Sequence, residues 1–522
     1  MAAALTAKID VSTPSADYNR MADRWRTARD CSEGSNAIKA AGTRYLPPLA
    51  GHNPRVRNDP YWSYVARALF YNITARTVDS LVGMVFRRPP VIANPPGSDD
   101  LMADIDLMGR PLEDFSKALL REVMTMGRAA VLVDHTRPPS DLRPYFRLYP
   151  AEDILDVVED VIGGAVVPIQ VRLRECFDEP ALDNEFETNE INQIRVLELV
   201  GGRYRQRVFR EGTGKQGPWV EFETIDPSID GAPIDFIPIW LFSTDQMSRP
   251  GAIEPPPLID LMEVNLAHYR TEADYSTALH VAGVPTLFVS GMEKPDPPLL
   301  VGSSQVMFMP PPEAKAYYVS YGAEGAAAIR QRLTDLQEQA AFLGARMLAP
   351  ERRGIEAAET AAIHRMGEIS ILASIANNIN FKLTNGLKFL LEWALFPTPT
   401  DETYIALCTD FIPTQAQSAM LTAMVAAWQA NALSHSSLWD FLRTGELVDA
   451  TKTLEDEQVL IDEEVKKKQA ADLEKLKAQQ DLFAQAAPAA TGATGANGQQ
   501  PPPKPGQPPP PKPGQPPAKG TQ

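Results

Sequence analysis

The sequence predicts an α+β chain whose helices and strands are segregated along its length, with one pair of long helices set around a small β tip. Three observations predict it. Apolar residues recur at helical spacing through most of residues 1–125. Between Gly127 and Thr244 the pattern changes to short β-branched and aromatic runs separated by turn residues. From Pro255 onward two long helical patterns flank a short strand-rich excursion, and a third, longer helical pattern follows a Pro-broken loop. Two long helices that leave a body, carry a β-rich tip and return form an arm. An isolated arm leaves apolar stripes in water, so it implies neighbours of the same kind side by side, in a ring or tube.

In the N-terminal part a loop spans Leu46-Pro47-Pro48 to Asn58-Asp59-Pro60, and a helical run starts at Tyr61. It continues to Phe86 with Val65, Leu69, Ile73, Val78, Leu81 and Val85 near one face, before Arg87-Arg88-Pro89-Pro90 ends it. A further helix covers Pro111 to Met126. Strands are expected at Ala129–Asp134, Val166–Leu173, Ile194–Val200, Arg203–Arg210, Val220–Thr224 and Phe236–Phe242, in a mixed, largely antiparallel sheet.

The arm begins after Pro255-Pro256-Pro257 with Leu258 to Ala282, about 37 Å long if fully helical. Gly283 and Pro285 stop it. Strands are expected at Thr286–Ser290, Gln305–Met309 and Ala316–Ser320. The returning helix, Gly325 to Leu348, places Ile329, Leu333, Leu336, Ala340, Leu343 and Met347 at alternating four- and three-residue steps. Such a seam packs either on its own domain or on a neighbouring subunit, and both readings stand at this point. Pro350 breaks the pattern. Helix resumes near Glu356 and runs to Phe396, with Gly367 and Gly386 as bend points. Residues 401 to about 483 are helical again, and the Pro-rich stretch beyond Ala484 reads as a disordered tail.

Composition narrows the function. The 522 residues carry a net charge of −17. Tight DNA binders are usually basic, because their affinity comes largely from counterion release, so the chain can enclose DNA but not grip it. No apolar run reaches the roughly 18 residues that span a bilayer. The first 20 residues lack the basic start and apolar block of a secretory signal. Cys31, Cys176 and Cys408 lie far apart with no metal-type spacing, as in a cytoplasmically made protein with reduced thiols.

No motif supplies catalysis. Glu211-Gly212-Thr213-Gly214-Lys215-Gln216-Gly217 lacks the Ser or Thr and the first Gly of a phosphate loop, and reads as a hairpin turn. His364 and Glu368 share a helix face without a second His, which is an ordinary polar face. Neither an enzyme activity nor a cofactor is therefore expected.

The order of elements resembles the portal proteins of tailed bacteriophages. Arg44-Tyr45-Leu46-Pro47, Arg67 to Asn72 with Thr77-Val78-Asp79, and Gly83-Met84-Val85-Phe86-Arg87-Arg88-Pro89-Pro90 are similar to a portal-like branch of phage proteins. So are Gly127 to Asp134, Tyr269 to Tyr275, Glu359-Thr360-Ala361-Ala362 and Ser370 to Asn378. The resemblance covers most of residues 40–465.

It implies a ring, usually of twelve subunits, at one capsid vertex of a virion made in a bacterial host cytoplasm. Residues 1–125 and 126–254 would be the helical and β-rich parts of a wing. Residues 255–285 and 323–348 would be the two stem helices, and 286–322 the clip. A channel loop would cover 349–359, a long wing helix 360–400, a helical crown 401–484 and the tail 485–522. Implied partners are further copies of the chain, the terminase large subunit, head-tail adaptor proteins, and the major capsid and scaffolding proteins. Double-stranded DNA would pass through weakly held, and no membrane is involved. Arg352 and Arg353, flanked by Glu351, Glu356 and Glu359, would meet DNA, or are simply a solvated loop. Glu293, Lys294, Asp296, Glu313 and Lys315 would meet partner proteins at the tip. Another head-completion or collar protein, or an enzyme with a site built from scattered residues, are the competing readings.

Overall fold

The computed structural model describes residues 10–136, 143–180, 186–211, 218–245, 249–283, 286–290, 315–319, 324–346, 371–396, 402–409 and 411, and farther on 418–430, 432–444, 448 and 454–485. The chain divides into two compact units, 1–412 and 413–522.

The first unit opens with helices α1 (Ala16–Glu33), α2 (Ser35–Ala40), α3 (Pro60–Arg67) and α4 (Ile73–Val85). Strand β1 (Val91–Ala93) and helices α5 (Asp99–Ala103) and α6 (Leu112–Met126) follow. Ser15 caps α1 by accepting a hydrogen bond from the Tyr18 amide, and Trp25 is fully buried with its indole N–H donating to the Met126 carbonyl at 3.1 Å. The helical run expected from Tyr61 to Phe86 is broken. Ala68 turns extended (ψ 130°) after α3, and Asn72 starts a new helix by accepting from the Ala75 amide at 3.0 Å. An Asn N-cap outweighs continuous apolar spacing because it satisfies a helix-end donor.

The β part has two main sheets. Strands β2 (Arg128–His135) and β3 (Pro144–Pro150) form one with β11 (Ile239–Ser243), in the order β11-β2-β3. The other is an antiparallel meander of β4 (Ile154–Ile162), β5 (Ala165–Pro180), β6 (Thr188–Val200), β7 (Arg203–Glu211) and β8 (Trp219–Ile225). Strands β9 (Ser228–Ile229) and β10 (Ala232–Pro233) make a small hairpin. The Gly-rich stretch 212–217 lies outside the described residues. Its flanks are β7 and β8, which pair antiparallel with Glu211 opposite Trp219, so no helix follows it as a phosphate loop requires.

Next come α7 (Ile259–Gly283), the antiparallel ribbon β12 (Thr286–Ser290) with β13 (Lys315–Val319), and α8 (Glu324–Arg346). Helix α9 (Ile371–Trp393) packs across β11, β3 and β2. Its Asn378 amide donates to the Ser243 carbonyl at 2.7 Å, and the ammonium of Lys382 to the Leu241 carbonyl at 2.7 Å. Residues 356–370, the expected start of this helix, lie outside the described residues, with Gly367, His364 and Glu368 among them. So does the expected strand Gln305–Met309. The segment after α9, expected to be helical, begins with strand β14 (Tyr404–Ala406) paired to β1. The second unit contains α10 (Ser418–Gln429), α11 (His435–Thr444) and α12 (Leu454–Gln485).

A buried charge network joins the two sheets. Arg195 on β6 donates to Glu175 on β5 at 3.0 Å, to Asp134 on β2 at 2.8 Å, and to Gln206 on β7 at 2.9 Å. Tyr149 of β3 and Gln193 of β6 donate to the same Glu175 carboxylate. Burial alone would raise the Glu175 pKa, but the charges of Arg195 and Arg147 and these hydrogen bonds hold it below the ordinary carboxylate value. Arg195→Met takes a buried guanidinium from both Asp134 and Glu175, leaving Glu175 with Arg147 alone, and should cost about 3–5 kcal/mol in chemical denaturation. Adding Asp134→Leu and Glu175→Leu should recover only part of that loss, since no buried carboxylate then lacks its cation but Tyr149, Gln193 and Gln206 lose their partners.

Candidate functional site

The helix pair α7/α8 is the part of the molecule with the clearest capacity for assembly. The body fixes where α7 starts. Gly127 ends α6 in the left-handed region (φ 76°), and a Cβ there would lie 2.7 Å from the Pro255 carbonyl oxygen. Only glycine lets the lead-in to α7 run that close.

From there α7 is held by its first half. Leu258, Leu261, Met262, Leu266, Tyr269 and Ala273 are buried against the N-terminal helices, on a helical face that also carries two polar residues, Asn265 and His268. Asn265 accepts from the Thr74 amide and hydroxyl, each at 3.1 Å, and donates to the Tyr71 carbonyl at 2.7 Å. Arg270 donates to the Tyr45 carbonyl at 2.8 Å, and the Tyr64 hydroxyl to Asp274 at 2.6 Å. Gln337 of α8 donates to the His268 ring nitrogen Nε2 at 3.2 Å, linking α7 and α8. Burial pushes the His268 pKa below its ordinary 6.5, which keeps that acceptor neutral.

Beyond Ala273 the burial stops. No described side chain of α7 after that point is buried, and Leu279 is 47% exposed. The same holds for α8 before Leu333. The pair is thus embedded at one end and at most half-buried, among the described residues, at the other, where β12 and β13 follow.

The expected seam resolves differently from the subunit-packing reading. Leu333, Leu336 and Ala340 are buried within the single chain, at 7%, 1% and 1% exposure, and Ile329 and Leu343 are half-buried. α8 packs along α7, so these residues close the chain's own helix pair; Met347 lies outside the described residues. The proposed channel-loop residues Glu351, Arg352, Arg353, Glu356 and Glu359 also lie outside, as do Glu293, Lys294, Asp296 and Glu313. Lys315 begins β13 and is exposed, opposite Ser290.

An apolar groove of about 470 Å³ runs between α8 and α4, lined chiefly by Tyr71, Thr77, Met84, Ala340, Ala341 and Gly344. A Cβ on Gly344 would lie 3.2 Å from the Thr77 methyl, so the helices approach closely there. The sequence reading missed this groove, because α4 and α8 are some 250 residues apart. It also missed Asn265 and His268. Their signal was present as two polar residues three apart on an otherwise apolar face.

A second cavity, of about 540 Å³, has Arg128 in its wall. Arg128 is 2% exposed, its Nε and Nη1 groups have no hydrogen-bond partner among the described residues, and burial depresses its pKa to about 10 against the pull of Asp156, Asp17 and Glu159. Among the described residues no group of three or more His, Cys, Asp or Glu could hold a metal ion, and no helix is long and apolar enough to cross a membrane.

Residues 257–394, which contain α7 and α8, match a family described as a domain of unknown function, DUF4055. No curated protein matches the chain. Among solved structures, it is similar to a chain of the neck of a native gene transfer agent particle computed with C12 symmetry, with a TM-score of 0.32 at 12% identity over 78% of this chain and 98% of that one. A chain of the neck of an empty particle computed with C6 symmetry gives 0.31 at 12% identity, over 70% and 88%. A chain from the native virion gives 0.28 at 13%, over 78% and 97%. TM-scores this low assign neither fold nor function.

Two outcomes follow from the stem geometry. Leu336→Glu buries a charge between α7 and α8 and should destabilise the monomer itself by at least about 3 kcal/mol, read by thermal or urea melting. For His268, the folded pKa lies below the unfolded one, so stability is full above 6.5 and falls as the pH drops through it. The melting temperature should therefore drop between about pH 7.5 and about 5.5, and His268→Gln, which keeps an acceptor without titrating, should lessen the drop.

Proposed function

We propose that this chain is a portal-type subunit, forming a ring at one vertex of a phage-type capsid through which double-stranded DNA enters and leaves. One observation carries the reading: a long helix pair rooted in an α+β body by half its length, with no buried side chain among the described residues of the rest, and with a β ribbon between its distal ends. A helix pair exposed in this way gains little from its own chain beyond the root, and neighbours around a ring would cover it.

The charge balance supports a conduit over a clamp. At −17 the chain repels phosphates overall, so DNA would slide past it with few lasting contacts. Arg352 and Arg353 are the proposed points of contact at a constriction, with Glu351, Glu356 and Glu359 limiting how tightly they hold. The ribbon end, including Lys315, would face the packaging motor and later the adaptor proteins, and residues 401–484 would form the crown.

Electron-microscope class averages of the purified protein, with mass photometry of the same sample, test the reading. Rings with a central hole and about twelve-fold symmetry support it. A compact particle without a projecting stem would end it. In assembled heads, Arg352→Ala with Arg353→Ala should leave ring formation intact and alter DNA packaging or retention. An unchanged yield of DNA-filled heads would remove the two arginines from the bore.

A further inference from the structure

Because Leu333, Leu336 and Ala340 close the chain's own helix pair, contact between copies must use other faces of α8. Two such faces are distinctive. One is the side lining the groove with α4, where Gln337, Ala341 and Gly344 leave a shallow apolar space. The other carries Phe342, which is 70% exposed. At 3.6 residues per turn, Phe342 points about 130° away from the groove residues, so it cannot fill its own chain's groove.

The charges around the two faces are complementary. Glu338 lies one turn before Phe342 and Asp335 two turns before it, on the same side of the helix. On the groove side, Arg76 of α4 lines the space and Arg330 lies two turns before Gln337. An aromatic knob flanked by acids and an apolar hole flanked by arginines therefore sit on different faces of one helix. That arrangement makes a head-to-tail contact, which repeats around a closed ring.

We propose that Phe342 of one copy enters the α4/α8 groove of the next, with Glu338 and Asp335 beside its Arg76 and Arg330. The occupant is a second copy of this chain. The inference rests on the ring reading and specifies the contact that closes the ring.

The test compares assembly of the full chain across variants by mass photometry and electron microscopy, with monomer melting as a control. Phe342→Ala should raise the concentration for half-assembly about ten-fold or more while leaving the monomer's melting unchanged. Glu338→Arg alone and Arg76→Glu alone should each weaken assembly, and the double variant should restore it to near the wild-type concentration. Rings that form equally well with Phe342→Ala would show that something else fills the groove, such as the chain's own residues 347–370, and would overturn this contact while the ring reading stands. Loss in the single charge variants without recovery in the double would overturn the pairing. Assembly that stops at two copies would overturn the head-to-tail geometry, and a wild type that forms no rings under any condition would remove the ring reading and this contact together.

Discussion

Asn265 is the residue on which the placement of α7 depends. Helix α4 begins at Ile73, so its first amides have no partner within the helix. Asn72 satisfies the Ala75 amide from within the chain, and Asn265 satisfies the Thr74 amide from α7. The same side chain takes up the Tyr71 carbonyl, which the break between α3 and α4 leaves outside any helix. The break in the N-terminal helices and the anchoring of the stem are thus one interaction. A continuous helix through residues 68–72 would have its donors satisfied internally, and Asn265 of α7 would lose its partners at Thr74 and Tyr71. Around this point Tyr64, Tyr45 and Gln337 add bonds to Asp274, Arg270 and His268, so orientation as well as depth is fixed.

A root held this firmly matters only if the body behind it is rigid. Two sheets meet there, and the junction is electrostatic where an apolar interface would have been the simpler solution. Arg195 draws together carboxylates from β2 and β5, and both sheets contribute hydrogen bonds to the Glu175 cluster. Buried charge of this sort adds little net stability over apolar packing, yet it tolerates only one arrangement, because any shift leaves a charge without a partner. Arg128 shows the alternative. It is equally buried, but its nearest carboxylates act only at longer range, and its pKa falls where that of Arg195 rises.

How much of this was legible in the sequence depended on distance along the chain. The ribbon strands were readable from Thr286-Leu287-Phe288-Val289-Ser290 and its partner near Ala316, since β-branched and aromatic runs between turn signals are local. The boundaries of α7 were readable from Pro257 and Gly283. The helix break at Asn72 was not, because the apolar spacing across it stays near-helical and the deciding bond from Asn265 comes from 191 residues away. The charge network was invisible for the same reason: Asp134, Glu175 and Arg195 carry no shared spacing, and only the strand order brings them together. Strand β14 was hidden inside a stretch of helical composition, and it forms because β1 offers it an edge. The apolar stripe of α8 was visible as a period in the sequence and was expected to face a neighbouring subunit, but periodicity alone cannot say what a stripe packs on.

Its partner, α7 of the same chain, changes the physics of any assembly. Had the stripe faced a neighbour, each subunit would need that neighbour to bury Leu336, and folding and assembly would be a single event. With the stripe already buried, α7 and α8 make a finished two-helix unit within the single chain. Contacts between such units draw on what remains exposed: an aromatic, small-residue grooves and charges of opposite sign. Surfaces of that kind give weaker, direction-specific association, and a long row of them closes only when the last copy meets the first. In the proposed ring, a chain of this design would stay separate until copies meet, and specificity would lie in the relative placement of knob and hole on α8 and not in the total area of exposed leucine.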